Sequence, residues 1–403
     1  MSRPRASNRA LPAVIALATL NAIMAISQTN ITSIYLQISL DFHSSLYGLG
    51  ILASAYFAGY GLLELPGGVV AAKIGPKKLM IIGGSLTTAS LLGCALSPSF
   101  LFLALFRASA GIGYGLVFAP CLVLMMRSLG SRAVGLGAAF GTISFSLGAS
   151  IGIYAWAILS SWAGWRASLI VEFAITLGSV LALIILVPKD MQEPDLKIKW
   201  GQLKIEMANK PMLALSLGAF GGGATAILTG SFLVYYLEEI FAMAPAEAGL
   251  IGAISFFAPL ISGIVAGRLY DRGFNAKALI AASAIGLTLG TAAIAYHSVY
   301  AAIAGSVIAG LAIGMGGTAD YSVARDLSTK PEYESLNVGI VDAASLVGLF
   351  VAPLYFSAIA VGSGYPVAWL ACSLPALVFF VPLLAVKIER RNRDQTTRRA
   401  QNE

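Results

Sequence analysis

Charge is what this sequence has least of. Only 11% of its 403 residues are Asp, Glu, Lys or Arg, 58% are hydrophobic, and the mean hydropathy is +0.82. A soluble chain of this size needs a charged surface that so few charges cannot make, which excludes an ordinary globular protein. Histidine is nearly absent, with two residues, and cysteine is rare, with three. Cys94, Cys121 and Cys372 sit singly inside apolar runs, so neither a disulfide framework nor a cysteine-based metal site has the spacing it requires. They read as small packing residues. His43 and His297 stand in connecting segments without a carboxylate cluster, and no metal or other cofactor is expected. No Ser/His/Asp or His/Asp/Glu constellation converges within the apolar runs, which speaks against an enzyme. Strict alternation of polar and apolar residues is also missing. The apolar runs are continuous and about 20 residues long, which disfavours a membrane β-barrel.

What is there instead is a series of twelve such runs. They cover 10–39, 46–71, 78–97, 101–126, 134–160 and 167–187, then 212–237, 247–269, 277–296, 299–324, 336–361 and 366–386. Each is near the length a bilayer demands, and most connections are short, so consecutive spans are antiparallel neighbours. The expected fold is an all-α membrane protein of twelve transmembrane helices in two pseudo-symmetric six-helix bundles. The bundles are 1–187 and 212–386, with a linker at 188–211 and a polar, basic tail at 387–403. Within the linker, Leu196 to Met207 alternates Lys with apolar residues, which fits an interfacial amphipathic helix.

Basic residues give the orientation. With the N-terminus in the cytoplasm and the sides alternating, only Arg107 and Arg166 of the 26 Lys and Arg residues fail to fall on cytoplasmic segments or helix ends. That asymmetry supports a multi-pass protein of the cell membrane with both termini cytoplasmic. It also accounts for the formal charge of +7 without nucleic acid as a partner. The expected partners are the lipid bilayer, a small-molecule solute and protons, and the expected unit is a monomer.

A short basic turn occurs twice. The first copy runs from Gly68 through Lys73, Gly75 and Pro76 to Lys77 and Lys78. The second runs Gly267-Arg268-Leu269-Tyr270-Asp271-Arg272-Gly273 and on to Lys277. Gly68 falls on Gly267, Lys73 on Arg272 and Lys78 on Lys277, a constant offset of 199 residues. The same offset brings Gly310 and Gly314 of the tenth span onto Gly111 and Gly115 of the fourth. A recurrence near half the chain length marks a duplicated membrane unit.

Six spans, a linker, six spans and the doubled turn together resemble the major facilitator superfamily along the whole chain. The family's signature is Gly-x-Leu-x-Asp-Arg-x-Gly-x-Arg/Lys-Arg/Lys between the second and third helices. The second copy is close to it, whereas the first has Ala72 where the family has Asp, which puts that half of the cytoplasmic latch in doubt. The fourth span, with Arg107, Gly111, Gly113 and Gly115, is similar to the family's Arg-x-x-x-Gly-x-Gly pattern. The Gly-Pro motif of drug antiporters is missing from Gly141–Gly152, and the first span carries Gln28-Thr29-Asn30 where many proton–drug antiporters carry an Asp. The resemblance implies secondary active transport by alternating access.

Ionisable groups inside the apolar runs are costly and so need a partner, water or a task. Arg107 lies roughly 9–10 Å into its span, at 1.5 Å per residue. It fits either a site for an anionic solute, which its planar fork binds through two parallel hydrogen bonds, or a structural clamp between helices. Glu172 lies at a similar depth, so the two are candidates for a pair. Asp320 and Asp342 fit either proton carriage or a charge network with Arg325 and Lys330. Glu64, one turn before Gly68, fits a gate or loop contact with a cytoplasmic Lys better than a coupling role. In the first span Asn21, Gln28, Asn30, Ser33 and Gln37 form a polar stripe, which lines a cavity or bonds neighbouring helices. Tyr235 and Tyr236 fit either a substrate site or an interfacial aromatic belt. The run Gly221-Gly222-Gly223 suggests bending or close packing.

The reading that follows is a transporter of a small organic anion coupled to protons. Export of a lipophilic compound past Phe140, Phe145, Phe256 and Phe257 is the alternative, and a transporter-derived sensor would keep the same scaffold.

Overall fold

The computed structural model describes residues 10–128, 134–187, 205–329 and 333–388. Twelve helices among them are long and apolar enough to cross a membrane. Span 1 is made of Ala10–Thr29, a 3-10 turn Asn30–Ile34 and Tyr35–Phe42. Spans 2 to 6 are Leu46–Ile74, Pro76–Ala95, Phe100–Ser128, Val134–Ala163 and Trp165–Leu186. Spans 7 to 11 are Lys210–Phe241, Pro245–Asp271, Ala276–Ile294, Val299–Asp326 and Glu334–Ser363. Span 12 is Tyr365–Ser373 and Pro375–Leu384, interrupted where Pro375 withholds a backbone donor. Most of the linker and the tail after Ile388 lie outside the described residues, as do Lys330 and the region of the proposed amphipathic helix before Ile205.

The duplication is visible in three dimensions. In the first half span 4 packs on spans 2 and 3, span 1 on spans 5 and 6, and span 3 on span 6. In the second half span 10 packs on spans 8 and 9, span 7 on spans 11 and 12, and span 9 on span 12. Each pairing in one half has its counterpart six spans on. The glycine correspondence is structural as well. A side chain at Gly111 would run into the backbone of Tyr56, and one at Gly310 into Ala258 and the Ile254 carbonyl, so both glycines let span 4 or 10 lie against span 2 or 8. Gly164 and Gly364 open spans 6 and 12 with φ of +82° and +86°, a left-handed conformation only glycine adopts without strain.

The two basic turns lie at one face of the bundle, called here the basic face, and His43, Gly164 and Gly364 lie at the opposite face. On the basic face the lysine correspondence differs from the sequence reading by one residue. Lys77, not Lys78, is the partner of Lys277. The Lys77 ammonium donates to the carbonyls of Ile184 at 2.7 Å and Val187 at 2.5 Å, closing the end of span 6. Lys277 donates to Leu384 at 3.3 Å and to Val386, closing the end of span 12. A cation at a helix C-terminus satisfies carbonyls that have no intrahelical donor and opposes the helix dipole. Lys77→Ala and Lys277→Ala are each expected to cost about 1 kcal/mol, read as matching losses in chemical unfolding of the detergent-solubilised protein. Lys73, Lys78, Asp271 and Arg272 are exposed, and Gly75 and Gly273 turn the chain with φ of +90° each. The side chains at Gly68 and Ala72 lie outside the described residues, and Gly267 sits within span 8 against Thr318.

The two halves meet along spans 2 and 11, spans 5 and 8, and spans 1 and 7. Toward the opposite face the seam is closed by rings. Tyr35 of span 1 lies 6.2 Å from Phe232 of span 7, which stacks on Phe356 at 4.7 Å. Trp369 packs on Phe356 at 4.6 Å and on Tyr236 at 5.9 Å. Tyr236 is therefore buried in this plug, bonded to His297 at 3.2 Å, and is no belt residue. Tyr235 is also buried, its hydroxyl facing Ser39 and Glu239. Span 7 passes its three glycines without a break. Gly221 gives room to span 12 at Phe379, and Gly223 to span 11 at Leu349, so close packing explains the run.

Candidate functional site

Span 1 breaks because its middle, Ser27-Gln28-Thr29-Asn30-Ile31-Thr32-Ser33, is rich in residues whose side chains compete for backbone groups. Thr32 Oγ1 donates to the Thr29 carbonyl and Ser33 Oγ to that of Asn30, each at 2.7 Å. The chain tightens into a 3-10 turn there, and carbonyls one turn earlier lose their usual donors. Arg107 of span 4 supplies them. Its Nη1 donates to Ser27 O at 2.7 Å and Nη2 to Gln28 O at 3.4 Å. The guanidinium also lies 4.5 Å from the centre of the Tyr56 ring, and Arg107 is 1% exposed. Carbonyl dipoles and a ring face offset part of the cost of this buried cation.

Glu172 of span 6 is fully buried and accepts from the Asn30 amide. Arg107 and Glu172 thus do not form a direct ion pair. They hold opposite sides of one broken turn, the cation through carbonyl oxygens and the carboxylate through an amide N–H. The polar stripe of span 1 divides accordingly. Asn21 donates to Gly141 O and Ser144 Oγ at 2.9 Å each, and Gln37 to Ser160 Oγ at 3.0 Å, so both tie span 1 to span 5. Gln28 turns the other way, into a cavity between the halves.

That cavity is lined by Gln28, Thr32, Tyr35, Ala53, Phe57 and Arg107 from the first half and by Ile227, Gly230, Ser231 and Phe256 from the second. Its free volume is small, ≈ 10 Å³, room for about one water. The halves are closed upon it. Within the second half, Gly230 makes room for the Phe256 ring, from which a β-carbon there would stand 2.8 Å. Three polar atoms around the cavity are buried without a hydrogen-bond partner: Gln28 Oε1, Tyr35 Oη and Arg107 Nε. Arg107 is the one charged side chain in the wall among the described residues.

The remaining candidates lie elsewhere. Asp342 of span 11 accepts from the Tyr321 hydroxyl, and Asp320 Oδ1 is buried without a partner. Arg325 pairs with Asp326 at 3.4 Å, and Asp326 also accepts from Tyr270 at 2.7 Å, so the network expected for Asp320 and Asp342 is made by a different Asp. Glu64 accepts from Tyr60 at 3.3 Å, and no Lys is at ion-pair distance from it among the described residues. Of the four aromatics read for a lipophilic solute, only Phe256 reaches the central cavity. Phe140 lines a separate apolar groove between spans 1 and 5. Sequence reasoning missed Tyr35, Thr32, Ser231 and Gly230, for which the available signal was polar and small residues interrupting apolar runs.

Twelve spans in two related halves, closed around a small polar cavity, define a membrane transporter of the two-bundle type. The family model of the Major Facilitator Superfamily matches residues 17–229 and 215–403, and the chain belongs to that family. It is 26% identical over 215 residues to monocarboxylate transporter 13 of Rattus norvegicus, a match covering 51% of this chain and 48% of that protein. It is 25% identical over 271 residues to a human voltage-gated purine nucleotide uniporter, covering 59% of each. The chain thus spans between about half and three-fifths of these relatives' lengths. Among solved structures, the nucleoside transporter NupG superposes with a TM-score of 0.79 at 14% identity, over 94% of this chain and 99% of that one. A bacterial homologue of the human lysosomal transporter Spinster, in an inward-facing conformation, gives 0.73 at 17%, over 94% and 95%. At these identities the two structures speak for the fold alone.

Proposed function

We propose that the chain is a secondary active transporter of a small organic anion, in which the two bundles rock about the central cavity and protons supply the coupling. The observation that carries this reading is Arg107, a buried cation in the cavity wall whose Nε–H has no acceptor. Its Nη1 and Nη2 each donate to one neutral carbonyl, which a carboxylate would outcompete because a charge-assisted hydrogen bond is about twice as strong as a neutral one. Gln28, Thr32, Tyr35 and Ser231 add neutral polar groups around the same space, and the space itself favours a small solute. The names of two relatives, a monocarboxylate transporter and a purine nucleotide uniporter, agree in the sign of the solute charge. The orientation that fits is the basic face in the cytoplasm of the cell membrane. The rings of Tyr35, Phe232 and Phe356 would then form the outer gate in its closed position.

The test is counterflow. Proteoliposomes preloaded with one of a panel of small carboxylates are diluted into the labelled compound, and transient accumulation of label is expected with at least one of them. Accumulation of a lipophilic cation and of no carboxylate would instead favour export of apolar compounds, for which the groove at Phe140 is the supporting feature. Saturable binding without any counterflow would favour a sensor.

A further inference from the structure

On the basic side of the cavity, spans 2 and 11 bring two carboxyl groups together from different halves of the molecule. The spans run antiparallel in contact. Ser54 Oγ donates to Phe350 O at 2.7 Å, and Gly61 lies against Leu346. One turn further on, Glu64 of span 2 stands within hydrogen-bond reach of Asp342 of span 11. Tyr60 donates to Glu64 Oε1 from one side and Tyr321 to Asp342 Oδ1 from the other. Glu64 Oε2 is buried and receives no donor from any other group.

Two ionised carboxylates have acceptors only and repel each other, so they cannot bond. One proton between them supplies the missing donor and removes the repulsion. The surrounding groups offer no alternative. Tyr60 on span 2, Tyr114 on span 4, and Asp320 and Tyr321 on span 10 face the pair, and none is a cation. Among the described residues no Lys, Arg or His lies within ion-pair distance of Glu64 or Asp342. Tyr321, the donor to Asp342, is 42% exposed and lies near the end of span 10 on the basic side.

We propose that Glu64 and Asp342 share a single proton and form a clasp between the two bundles, holding spans 2 and 11 together on the basic side when the proton is bound and releasing them when both carboxylates are ionised. Closure on that side then takes up one proton from the solvent it faces, and reopening returns it. The inference concerns the proton alone and stands whether or not the solute is an anion.

Cross-linking across the seam reads it directly. A β-carbon at Gly61 would stand 3.8 Å from that of Leu346, a separation that a disulfide bridges. The variant Gly61→Cys/Leu346→Cys is made with the three native cysteines, all buried, replaced by Ala. Its oxidation rate is compared with the same protein carrying Glu64→Gln, and the ratio cancels the titration of the thiols themselves. The ratio is expected to fall about tenfold or more between about pH 6 and about pH 9. Asp342→Asn should flatten the profile as Glu64→Gln does, and Glu64→Lys, which places a cation opposite Asp342, should cross-link rapidly throughout. A ratio independent of pH, or an unchanged pH profile in Asp342→Asn, would overturn the proposal. Loss of carboxylate counterflow plays no part in this readout, so failure here is distinct from failure of the anion reading.

Discussion

Arg107→Gln is expected to reduce carboxylate counterflow by roughly 100-fold or more while leaving the protein folded. Removing the charged partner of a desolvated anion costs about 2–5 kcal/mol, and each 1.4 kcal/mol is a factor of ten. The fold survives because the substitution removes a buried charge along with its two bonds to main-chain carbonyls, which limits the stability loss to about 1–2 kcal/mol. Arg107→Lys keeps the charge but loses the fork and the ring contact with Tyr56, so an intermediate loss of about tenfold is expected. The controls are a melting curve in detergent and counterflow at raised solute concentration. If Arg107 were only a clamp between spans 1 and 4, melting and counterflow would fall together, and Lys would rescue neither.

Gly249→Trp is expected to abolish transport without unfolding either bundle. Gly249 of span 8 faces Ala157 of span 5 across the seam, and its missing β-carbon would stand 2.7 Å from that of Ala157. An indole there must hold the halves apart on the opposite face. Overpacking of this kind costs about 3 kcal/mol or more, which shifts the closed population roughly 100-fold. The cores within each half are untouched, so melting should change little. Cysteines placed near the plug, at Tyr35 or Phe232, should become reactive to a water-soluble thiol reagent. If Gly249→Trp transports normally, closure at spans 5 and 8 is no part of the cycle.

The twelve spans were legible because a bilayer sets their length and composition alone marks them. The duplication was legible too, since Gly111 with Gly310 and the two basic turns repeat at nearly half the chain. The break in span 1 was not, although Thr32 and Ser33 bring it about, because a 3-10 turn keeps the same hydropathy as the helix around it. Arg107 was found by its cost, but its partners are main-chain carbonyls, which no pairing of residue types reveals. Glu64 was sought against a Lys for the same reason. Pairing by opposite charge misses a carboxyl whose neighbour is another carboxyl, Asp342. The offset between the halves is 200 residues at Lys77 and Lys277 against 199 at Gly68 and Gly267, which is why Lys78 was aligned where Lys77 belongs.

Internal pH in proteoliposomes reports on proton coupling and on Arg107 at once. Vesicles loaded with a pH-sensitive dye receive an inward gradient of each small carboxylate in turn, with protein-free vesicles subtracting passive entry of the protonated acid. Solute-dependent acidification of the interior, carried by the native chain and lost in Arg107→Gln, is the expected result. Transport of a carboxylate with no proton movement, or proton movement that survives in Arg107→Gln, would contradict an anion–proton symporter built around that arginine.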